Sequence, residues 1–545
     1  MLHDLLRFWR TLRQLKSIQV VYRIKHKLFK FAVSRVDLPD ANVCAALSAR
    51  PASRISSMYA PFSFHFLGQR GELSKVGWDG PKRSKLWRYN QHYFDDLNAT
   101  LTSARSEWHY GLIDCWIDDN LPFDGNGWEP YPTSLRIINW IKWSASGNLL
   151  SEKALKSLGL QTRFLAKNLE WHLLGNHLFS NAKALVYAGL HFQGAEADSW
   201  LNTGMHILSR QINEQVLEDG GHFELSPMYH ALATEDVLDL INICLANKQR
   251  LSPEQVQIVQ VLEKKLDKML YWLAAMSHPD GKISFFNDAA FDIAPDNREI
   301  FAFARRLGYE PQIPKFGITD LKQSGFVRLE NETAVMLFDA AEIGPTYLPG
   351  HAHADTLSVE LSIDKQRVLV NSGTSTYDVG PERLRQRGTS AHNTLSINGE
   401  NSSEVWSSFR VGRRASITEK RSIESGQQFA CYASHNGYSR NFVEALHKRS
   451  VFFSHNSAKI RDEIPSDAIA KIYFHLHPET VPTMLDAKSG KILLNGGRVV
   501  HWELNGAAQI NLVDTTWHPN FGTSLNNRCI EAVIDGNNSE FKLTW

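Results

Sequence analysis

The sequence predicts a multidomain α+β protein in which a helical domain is followed by an antiparallel β-sandwich. Its 545 residues exceed what one hydrophobic core usually serves, so we expect at least two domains. Up to about residue 310, apolar residues recur at three- to four-residue spacing, which is typical of helices that bury one face. Beyond about residue 325, apolar and polar residues alternate, which is typical of strands.

Residues 85–310 carry the helical pattern. The clearest helix start is Ser252-Pro253, because a capping serine, a proline in the first position and Gln255 three residues after the serine suit a helix N-terminus. The same periodicity marks four further segments, residues 151–170, 178–193, 199–217 and 229–248. Short polar breaks separate them, so we predict serial helical hairpins that close into a ring around a cleft of sugar size.

Strand signals dominate the second half of the chain. From Thr356 to Ile363 apolar and polar residues alternate strictly, which predicts a strand with one buried face. Shorter runs of the same kind lie at residues 334–339, 367–371, 393–397, 450–454, 471–475 and 541–545. Asp-Gly and Asn-Gly pairs among these runs are typical of tight turns and favour an antiparallel sandwich.

Changes in composition divide the chain into three parts. Residues 1–84 are predicted to form a basic N-terminal helix and a connecting segment, residues 85–315 the helical domain with its cleft, and residues 325–545 the sandwich. Pro311 and Pro314 lie in the short connection between the last two parts and are typical of a segment outside regular structure.

Net charge, cysteine content and the lengths of apolar runs limit the partners and the cellular locations that we expect. A net charge of +1 provides no long-range field for nucleic acid, so no nucleic-acid partner is expected. Five cysteines without a Cys-x-x-Cys pair argue against a disulfide framework.

No apolar run has the length of a membrane span, and charged residues interrupt the N-terminus where a secretory signal needs an apolar stretch. We therefore expect a cytoplasmic protein, with a periplasmic or membrane-associated location as the alternative.

The first 30 residues are strongly basic, with eight lysines and arginines against the single acidic residue Asp4. Leu5, Phe8 and Leu12 recur among them at near-helical spacing. One interpretation is a surface helix that touches anionic lipid, as a peripheral membrane contact, or anionic polymer. The other is a helix packed on the next domain with its basic face in solvent.

Four segments carry the side chains that point to a chemical site. They contain Asn176-His177, Glu224 with Tyr229, His351 with His353, and His392-Asn393. Together they supply a neutral amide, a tyrosine hydroxyl and several imidazoles. This set suits removal of a carbon-bound proton beside a carboxylate, and does not suit attack by a serine or cysteine nucleophile. Taken singly, each has a structural alternative: Asn176 as a helix cap, and His177 and Tyr229 as polar residues at the end of an element.

Two more segments, Leu86–Phe94 and Gly127–Arg136, lie upstream of these four. In this order, over roughly residues 85–420, the six segments resemble the heparinase II/III-like polysaccharide lyases. The resemblance implies an incomplete α/α toroid followed by an antiparallel β-sandwich. It also implies β-elimination at a uronic acid of an anionic polysaccharide, with glycosaminoglycan-like chains first and alginate-like chains second.

The resemblance further implies roles for individual residues. Asn176, with His351, would neutralise the uronate carboxylate so that the C5 proton can be removed. His177 and Tyr229 are both candidates for the base that takes this proton, and Tyr229 would protonate the leaving glycosidic oxygen. Ser180 departs from the family pattern, because some members carry a glutamate there, and this departure bears on substrate choice.

A structural zinc is also implied by the resemblance. His353 and His392 align with two of its ligands, while Asn371 stands where the third ligand is usually an aspartate. Asparagine is a poor zinc ligand compared with aspartate, so we expect weak or absent metal. Asp355 is the alternative third ligand.

Four residues are candidates for substrate binding: Glu129, Arg136, Glu224 and Arg387. For Glu129 and Arg136 the alternative is an ion pair that shapes the helical domain, and for Arg387 it is a solvated basic loop. Asn287-Asp288, in a phenylalanine-rich turn, is interpreted as structural.

Two other functions compete with the lyase hypothesis. An α/α-toroid glycoside hydrolase would use two carboxylates. The candidates are Asp118, Asp119, Glu129, Asp219 and Glu224. No pair of these stands out in the sequence. A non-catalytic glycan-binding or polysaccharide-assembly protein on the same scaffold would bind polymer without turnover.

Overall fold

The computed structural model describes residues 2–28, 33–41, 46–439, 445–465 and 468–545. The helices are α1 (Leu2–Leu12), α2 (Ser17–Leu28), α3 (Leu73–Val76), α4 (Lys85–Tyr93), α5 (Ser106–Asp119), α6 (Pro130–Ala145), α7 (Glu152–Lys167), α8 (Gly175–His191), α9 (Ala195–Gln215), α10 (Pro227–Ala246), α11 (Pro253–Ala275), α12 (Asn297–Arg306) and α13 (Pro381–Arg387). The strands before residue 400 are β1 (Met58–Ala60), β2 (Ser63–Phe66), β3 (Gln69–Glu72), β4 (Gly317–Asp320), β5 (Phe326–Glu330), β6 (Ala334–Asp339), β7 (Val359–Ile363), β8 (Gln366–Leu369) and β9 (Leu395–Ile397). The later strands are β10 (Val405–Trp406), β11 (Arg410–Val411), β12 (Ile417–Ser425), β13 (Gln428–His435), β14 (His447–Ser454), β15 (Ser457–Glu463), β16 (Ala470–His475), β17 (Val481–Met484), β18 (Ser489–Leu493), β19 (Val499–Asn505), β20 (Ala507–Trp517), β21 (Leu525–Ile534) and β22 (Asn538–Thr544).

Helices α4 to α12 form the first large domain. They pack as neighbours in pairs such as α8 with α9 and α10 with α11, around a core of fully buried apolar side chains. The predicted start of α11 is confirmed: the Ser252 hydroxyl accepts from the Gln255 amide N–H, and the Gln255 side chain accepts from the Ser252 amide N–H. This reciprocal cap satisfies two amides that a helix N-terminus otherwise leaves unpaired.

Antiparallel sheets form the second domain. A sheet of eight strands has the order β12-β13-β14-β15-β22-β19-β18-β17, and beside it lie a four-strand sheet, β20-β21-β16-β9, and a five-strand sheet, β4-β5-β6-β7-β8. Apolar residues of all three share one core, among them Leu361, Val451, Ile472 and Phe541. A small separate sheet, β1-β2-β3, precedes the helical domain.

Strand β7 corrects one expectation from the sequence. The strict alternation at Thr356–Ile363 predicted one buried face, but every residue of β7 is buried. Its polar side chains face the helical domain, where His278 contacts Ser362 Oγ at 2.7 Å and Glu360 Oε2 at 2.8 Å. The polar face is therefore buried because the helical domain covers it.

The two domains share an apolar contact of their own. Trp272 on α11 is fully buried, packs edge-on against Phe326 of β5 and donates from Nε1 to Ser324 Oγ at 2.9 Å. This contact holds the end of the helical domain against the five-strand sheet.

The N-terminal hairpin, α1 and α2, packs against both domains. Gln19 of α2 donates to the Leu173 carbonyl of the helical domain, and Trp406 of the β10–β11 hairpin donates from Nε1 to Thr11 Oγ1 of α1. Of the two interpretations of this basic segment, packing on the rest of the protein is the one observed, although Trp9 stays more than half exposed. Lys30 lies outside the described residues. Among the residues that the structure describes, no helix is both long and apolar enough to cross a membrane.

Candidate active site

A cleft of about 1180 Å³ lies where loops of the sandwich meet the helical domain. The predicted residues that line it are Asn176, His177, Glu224, Tyr229 and His351. The first four come from α8, from the α9–α10 connection and from the first turn of α10, whereas His351 comes from the loop between β6 and β7. The fold therefore brings together side chains that lie up to 175 positions apart in the sequence.

His177 is oriented by a carboxylate that the sequence analysis did not single out. Its Nδ1 donates to Glu170 Oε1 at 3.0 Å, and Asn181 holds Glu170 by donating from Nδ2 to Oε2 at 2.9 Å. This pairing leaves Nε2 of His177 with its lone pair available to a ligand in the cleft. Burial lowers the pKa of His177, but the Glu170 carboxylate outweighs burial and raises the pKa above its ordinary value.

Tyr229 sits in a different environment. Its ring lies against the His351 ring with the centroids 3.9 Å apart, and its hydroxyl is 3.0 Å from the hydroxyl of Tyr377. Burial, followed by the neighbouring Tyr377, raises the pKa of Tyr229 well above its ordinary value. Tyr229 therefore keeps its proton and can donate it.

His351 is fixed by the buried carboxylate of Asp288. Its Nδ1 donates to Asp288 Oδ2 at 2.9 Å, and the same carboxylate accepts from Nε2 of His353 at 2.8 Å and from both terminal nitrogens of Arg383. Burial opposes ionisation of this carboxyl, but Arg383 and the two histidines hold the pKa of Asp288 well below its ordinary value. Asp288 was interpreted as structural, and here its structural role is to orient a residue of the cleft.

Asn176 lies in the first turn of α8, at the positive end of the helix dipole. The capping position is taken by Leu174, which makes no side-chain cap, so Asn176 is not the helix cap that one alternative proposed. Leu174 and Gly175 both have positive φ, and a Cβ on Gly175 would come within 2.4 Å of Leu348. Glycine therefore lets the loop that carries His351 approach the start of this helix closely.

Glu224 is a buried carboxyl group beside these residues. Neither of its oxygens has a side-chain hydrogen-bond partner among the described residues, and Oε2 lies 3.6 Å from His351 Nε2. Burial raises the pKa of Glu224, against the opposing effect of His351 and then His177. A carboxyl group with a raised pKa can stay protonated near neutral pH and donate a hydrogen bond to an anionic ligand.

A second cluster lies behind Asp288. One ligand atom from each of His353, Asp355 and His392 falls within 4.8 Å of the others, and all three residues are buried. Burial lowers the pKa of His353 to about 4 and that of His392 to about 3, so both imidazoles are neutral. The Asn371 side-chain oxygen accepts from the Asn393 amide instead, and the carboxylate that joins the two histidines is Asp355.

Three predicted substrate-binding residues lie away from the cleft surface. Arg136 is fully buried, donates to Gln161 Oε1 and covers the Trp116 ring at 3.8 Å. Arg387, expected to face polymer or solvent, is also fully buried and donates to the carbonyl of Ala352. These placements correct the expectation that either arginine meets a ligand, because both guanidinium groups are occupied by protein acceptors.

Glu129 lies behind the cleft wall. It accepts from the Tyr89 hydroxyl and from Lys85 Nζ, the latter at 2.9 Å, and both partners line the cleft. Glu129 therefore forms an ion pair with Lys85, whereas Arg136 donates to Gln161, Thr133 and the His92 carbonyl.

The residues missed by the sequence analysis are Glu170, Tyr377 and the orienting role of Asp288. Glu170 lies seven positions before His177, and this spacing is the only feature of the sequence that indicates their pairing. Tyr377 and Asp288 approach the site from loops distant in sequence, so no spacing could have identified them.

Two family models match this chain. The model described as heparinase II/III N-terminus matches residues 147–301, and the model described as heparinase II/III-like, C-terminal matches residues 314–545. The chain belongs to the heparinase II/III-like family. These matches leave the N-terminal hairpin outside both models.

Relatives and solved structures agree with the family assignment. A heparin-sulfate lyase of Bacteroides stercoris is 28% identical over 325 residues, which are 55% of this chain and 45% of the relative. FtsZ-localized protein C of Caulobacter vibrioides is 22% identical over 355 residues, which are 60% of this chain and 57% of that protein. This heparinase II/III-like chain spans less than half the length of the heparin-sulfate lyases that it matches.

The predicted fold class is confirmed by a crystal structure titled Heparinase III. It superposes with a TM-score of 0.69 at 18% identity, covering 97% of this chain and 88% of that one. The helical domain and the sandwich are thus the incomplete α/α toroid and β-sandwich that the resemblance implied.

The Asp288 contacts generate a stability prediction. Asp288→Asn leaves the buried Arg383 without a counter-charge, so we expect the free energy of unfolding to fall by about 3–5 kcal/mol. Urea unfolding followed by tryptophan fluorescence measures the change. Asp118→Asn is the control, because its ion pair with Lys153 is exposed and its loss should leave unfolding nearly unchanged. Equal effects of the two substitutions would contradict the importance given to Asp288.

Proposed function

We propose that this heparinase II/III-like protein is a polysaccharide lyase that cleaves a uronic-acid-containing polysaccharide by β-elimination. A glycosaminoglycan-like chain is the first substrate class and an alginate-like chain the second. The observation that carries the proposal is that a histidine oriented by Glu170 and a tyrosine that keeps its proton line one cleft. The heparin-sulfate lyases among the relatives support the glycosaminoglycan class.

In the first step His177 removes the C5 proton of the uronate. Its Nε2 accepts the proton, while Nδ1 stays hydrogen-bonded to Glu170, which stabilises the imidazolium that forms. A pKa raised above the ordinary value of histidine makes this base stronger, and the reaction starts from the neutral imidazole. This assignment makes His177 the base and leaves Tyr229 to act as the acid.

Hydrogen-bond donors must stabilise the negative charge that develops on the uronate carboxylate as the C5 proton is removed. Asn176 offers a neutral side-chain amide at the positive end of α8. His351, whose Nδ1 donates to Asp288, can also donate from Nε2 when its imidazole is protonated. Glu224, with its raised pKa, adds a donor when protonated. These groups lower the cost of placing negative charge next to the carbon that loses its proton.

In the second step the C4–O bond breaks as the C4–C5 double bond forms. Tyr229 gives its proton to the departing glycosidic oxygen, which leaves as a neutral hydroxyl group. The Tyr377 hydroxyl, 3.0 Å away, can donate to the Tyr229 phenolate that remains. Solvent then carries the proton from His177 back to Tyr229, and the protein returns to its starting state.

Four of the five carboxylates named for the hydrolase alternative do not line the cleft. Of its five candidates only Glu224 lines the cleft. Asp118 is paired with Lys153, Asp219 accepts from the Ser324 amide, and Glu129 is paired with Lys85. A non-catalytic glycan-binding protein remains the second candidate, because the relative from Caulobacter vibrioides carries a name that refers to localization and not to catalysis.

The decisive measurement is ultraviolet absorbance, because elimination creates an unsaturated uronate and hydrolysis does not. The protein is incubated with heparosan, hyaluronan, chondroitin sulfates, heparin, alginate and polygalacturonate. We expect absorbance to rise with a glycosaminoglycan, and Tyr229→Phe and His177→Ala each to lower the rate at least about 100-fold.

Two control variants test whether the rate also falls when a hydroxyl or an imidazole outside the cleft is removed. Tyr309→Phe removes a hydroxyl hydrogen-bonded to Glu263 outside the cleft, and His455→Ala removes an exposed imidazole. Both should keep normal rates. Binding of a polymer without any absorbance change would favour the non-catalytic candidate, and new reducing ends without absorbance would favour a hydrolase.

The Glu170–His177 pair generates a pH prediction. The base must be neutral, so kcat/KM rises as pH increases through the His177 pKa, which Glu170 raises. Glu170→Gln removes that charge and lowers the pKa, so the acid limb of the profile should move to lower pH. The maximal rate should also fall, because a neutral amide stabilises the imidazolium less well. An acid limb that does not move would exclude His177 as the titrating base.

We further propose that a zinc ion, when bound, is held by His353, His392 and Asp355, and that it stabilises the loop carrying His351. The donor set of two neutral imidazoles and a carboxylate suits zinc. With Asn371 as the third ligand, the sequence predicted weak or absent metal. With Asp355 in that position we instead expect metal analysis of the purified protein to find about one zinc per chain, and Asp355→Asn to remove it. Asn371→Ala, which leaves all three donors in place, should keep the metal. If Asn371→Ala loses the zinc and Asp355→Asn keeps it, the third ligand is Asn371 and not Asp355.

A further inference from the structure

The N-terminal hairpin bridges the two walls of the cleft. On the toroid side, Lys16 forms an ion pair with Glu214, and Tyr22 of α2 packs against Trp171. On the sandwich side, Phe8 of α1 packs edge-on against Trp406. Contacts on both sides hold the hairpin across the cleft, so its inner surface is part of the cleft wall.

Side chains of the hairpin face the interior of the cleft. Phe8, Leu12 and Leu15 of the α1 segment and Arg23 of α2 all line it. Opposite them, Arg410 and Arg414, in and just after β11, line the same space. Arg410 lies over the Phe8 ring at 5.7 Å, so its guanidinium group is beside the hairpin. Burial and then the charge of Arg410 lower the pKa of Arg23.

These cationic groups are not neutralised by the protein. Among the described residues, no carboxylate forms an ion pair with Arg23, Arg410 or Arg414. Arg410 lies over the Trp406 ring at 4.7 Å, and Arg414 donates to the Thr346 carbonyl at 2.7 Å while its Nε lacks a partner. Like charges held together without a counter-charge are unfavourable alone and become favourable when an anion binds.

We propose that the N-terminal hairpin completes an anion-binding subsite, formed by Arg23, Arg410 and Arg414, that takes a second carboxylate or sulfate group of the polymer. The planar fork of an arginine matches either group by paired hydrogen bonds. The apolar side chains of Phe8 and Leu12 provide a surface on which the sugar ring can lie. The subsite therefore selects polymers with closely spaced negative charges, and the hairpin takes part in substrate recognition. This inference rests on the proposed function for the identity of its ligand.

Binding is tested in a protein that does not turn over, the Tyr229→Phe variant. Heparan sulfate and heparosan hexasaccharides with a fluorescent label serve as probes, followed by anisotropy. Adding Arg23→Gln or Arg410→Gln should weaken binding about tenfold each, which corresponds to one charged hydrogen-bond pair. The matched controls are Lys27→Gln on α2 and Arg413→Gln beside β11, whose side chains are exposed and do not line the cleft. Neither control should change binding more than about twofold.

The two probes identify the bound group. An equal loss with both hexasaccharides assigns the subsite to a carboxylate, and a loss confined to heparan sulfate assigns it to a sulfate. Unchanged binding in both Arg23→Gln and Arg410→Gln would overturn the subsite, even if the parent protein cleaves polymer. Arginine-dependent binding by a protein that gives no absorbance change would instead retain the subsite and reject the lyase proposal.

Discussion

The buried carboxylate of Asp288 is the interaction on which the cleft depends. It accepts hydrogen bonds from His351, His353 and Arg383 at once. Burying a charge is costly unless it is paired and hydrogen-bonded, and here Arg383 supplies the counter-charge inside the protein. The carboxylate thus joins His351 of the cleft to His353 of the cluster behind it.

The turn that carries Asp288 lies between α11 and α12 and also contacts the start of α10. Ser226, which caps α10 just before Tyr229, donates to the Asp288 carbonyl at 2.5 Å, and Asn287 donates to the Leu225 carbonyl at 2.9 Å. Asn287 adopts positive φ, a conformation that asparagine tolerates better than most residues. One short turn therefore positions Tyr229 from one domain and His351 from the other, which explains how their rings come into contact.

The two titrating groups of the proposed reaction differ because their surroundings differ. Burial lowers the pKa of His177, but the Glu170 carboxylate outweighs it and favours the charged form. Burial, and then Tyr377, raise the pKa of Tyr229 and favour its neutral form. Because of this difference, His177 can accept a proton while Tyr229 donates one at the same pH. Arg23 of the N-terminal hairpin and Arg410 of β11 line the same cleft.

The sequence by itself determined the element types, the family and the residues Asn176, His177, Tyr229 and His351, because hydrophobic period, capping residues and ordered motifs are local properties of a chain. Only the tertiary structure decided that Arg136 and Arg387 are buried, that Asp355 lies beside the two histidines, and that Glu170 orients His177. The prediction that only one face of β7 is buried was wrong for the same reason, because the helical domain packs over the polar face. Burial, pairing of charges and protonation depend on which distant segments pack together, and no spacing within one segment records that packing.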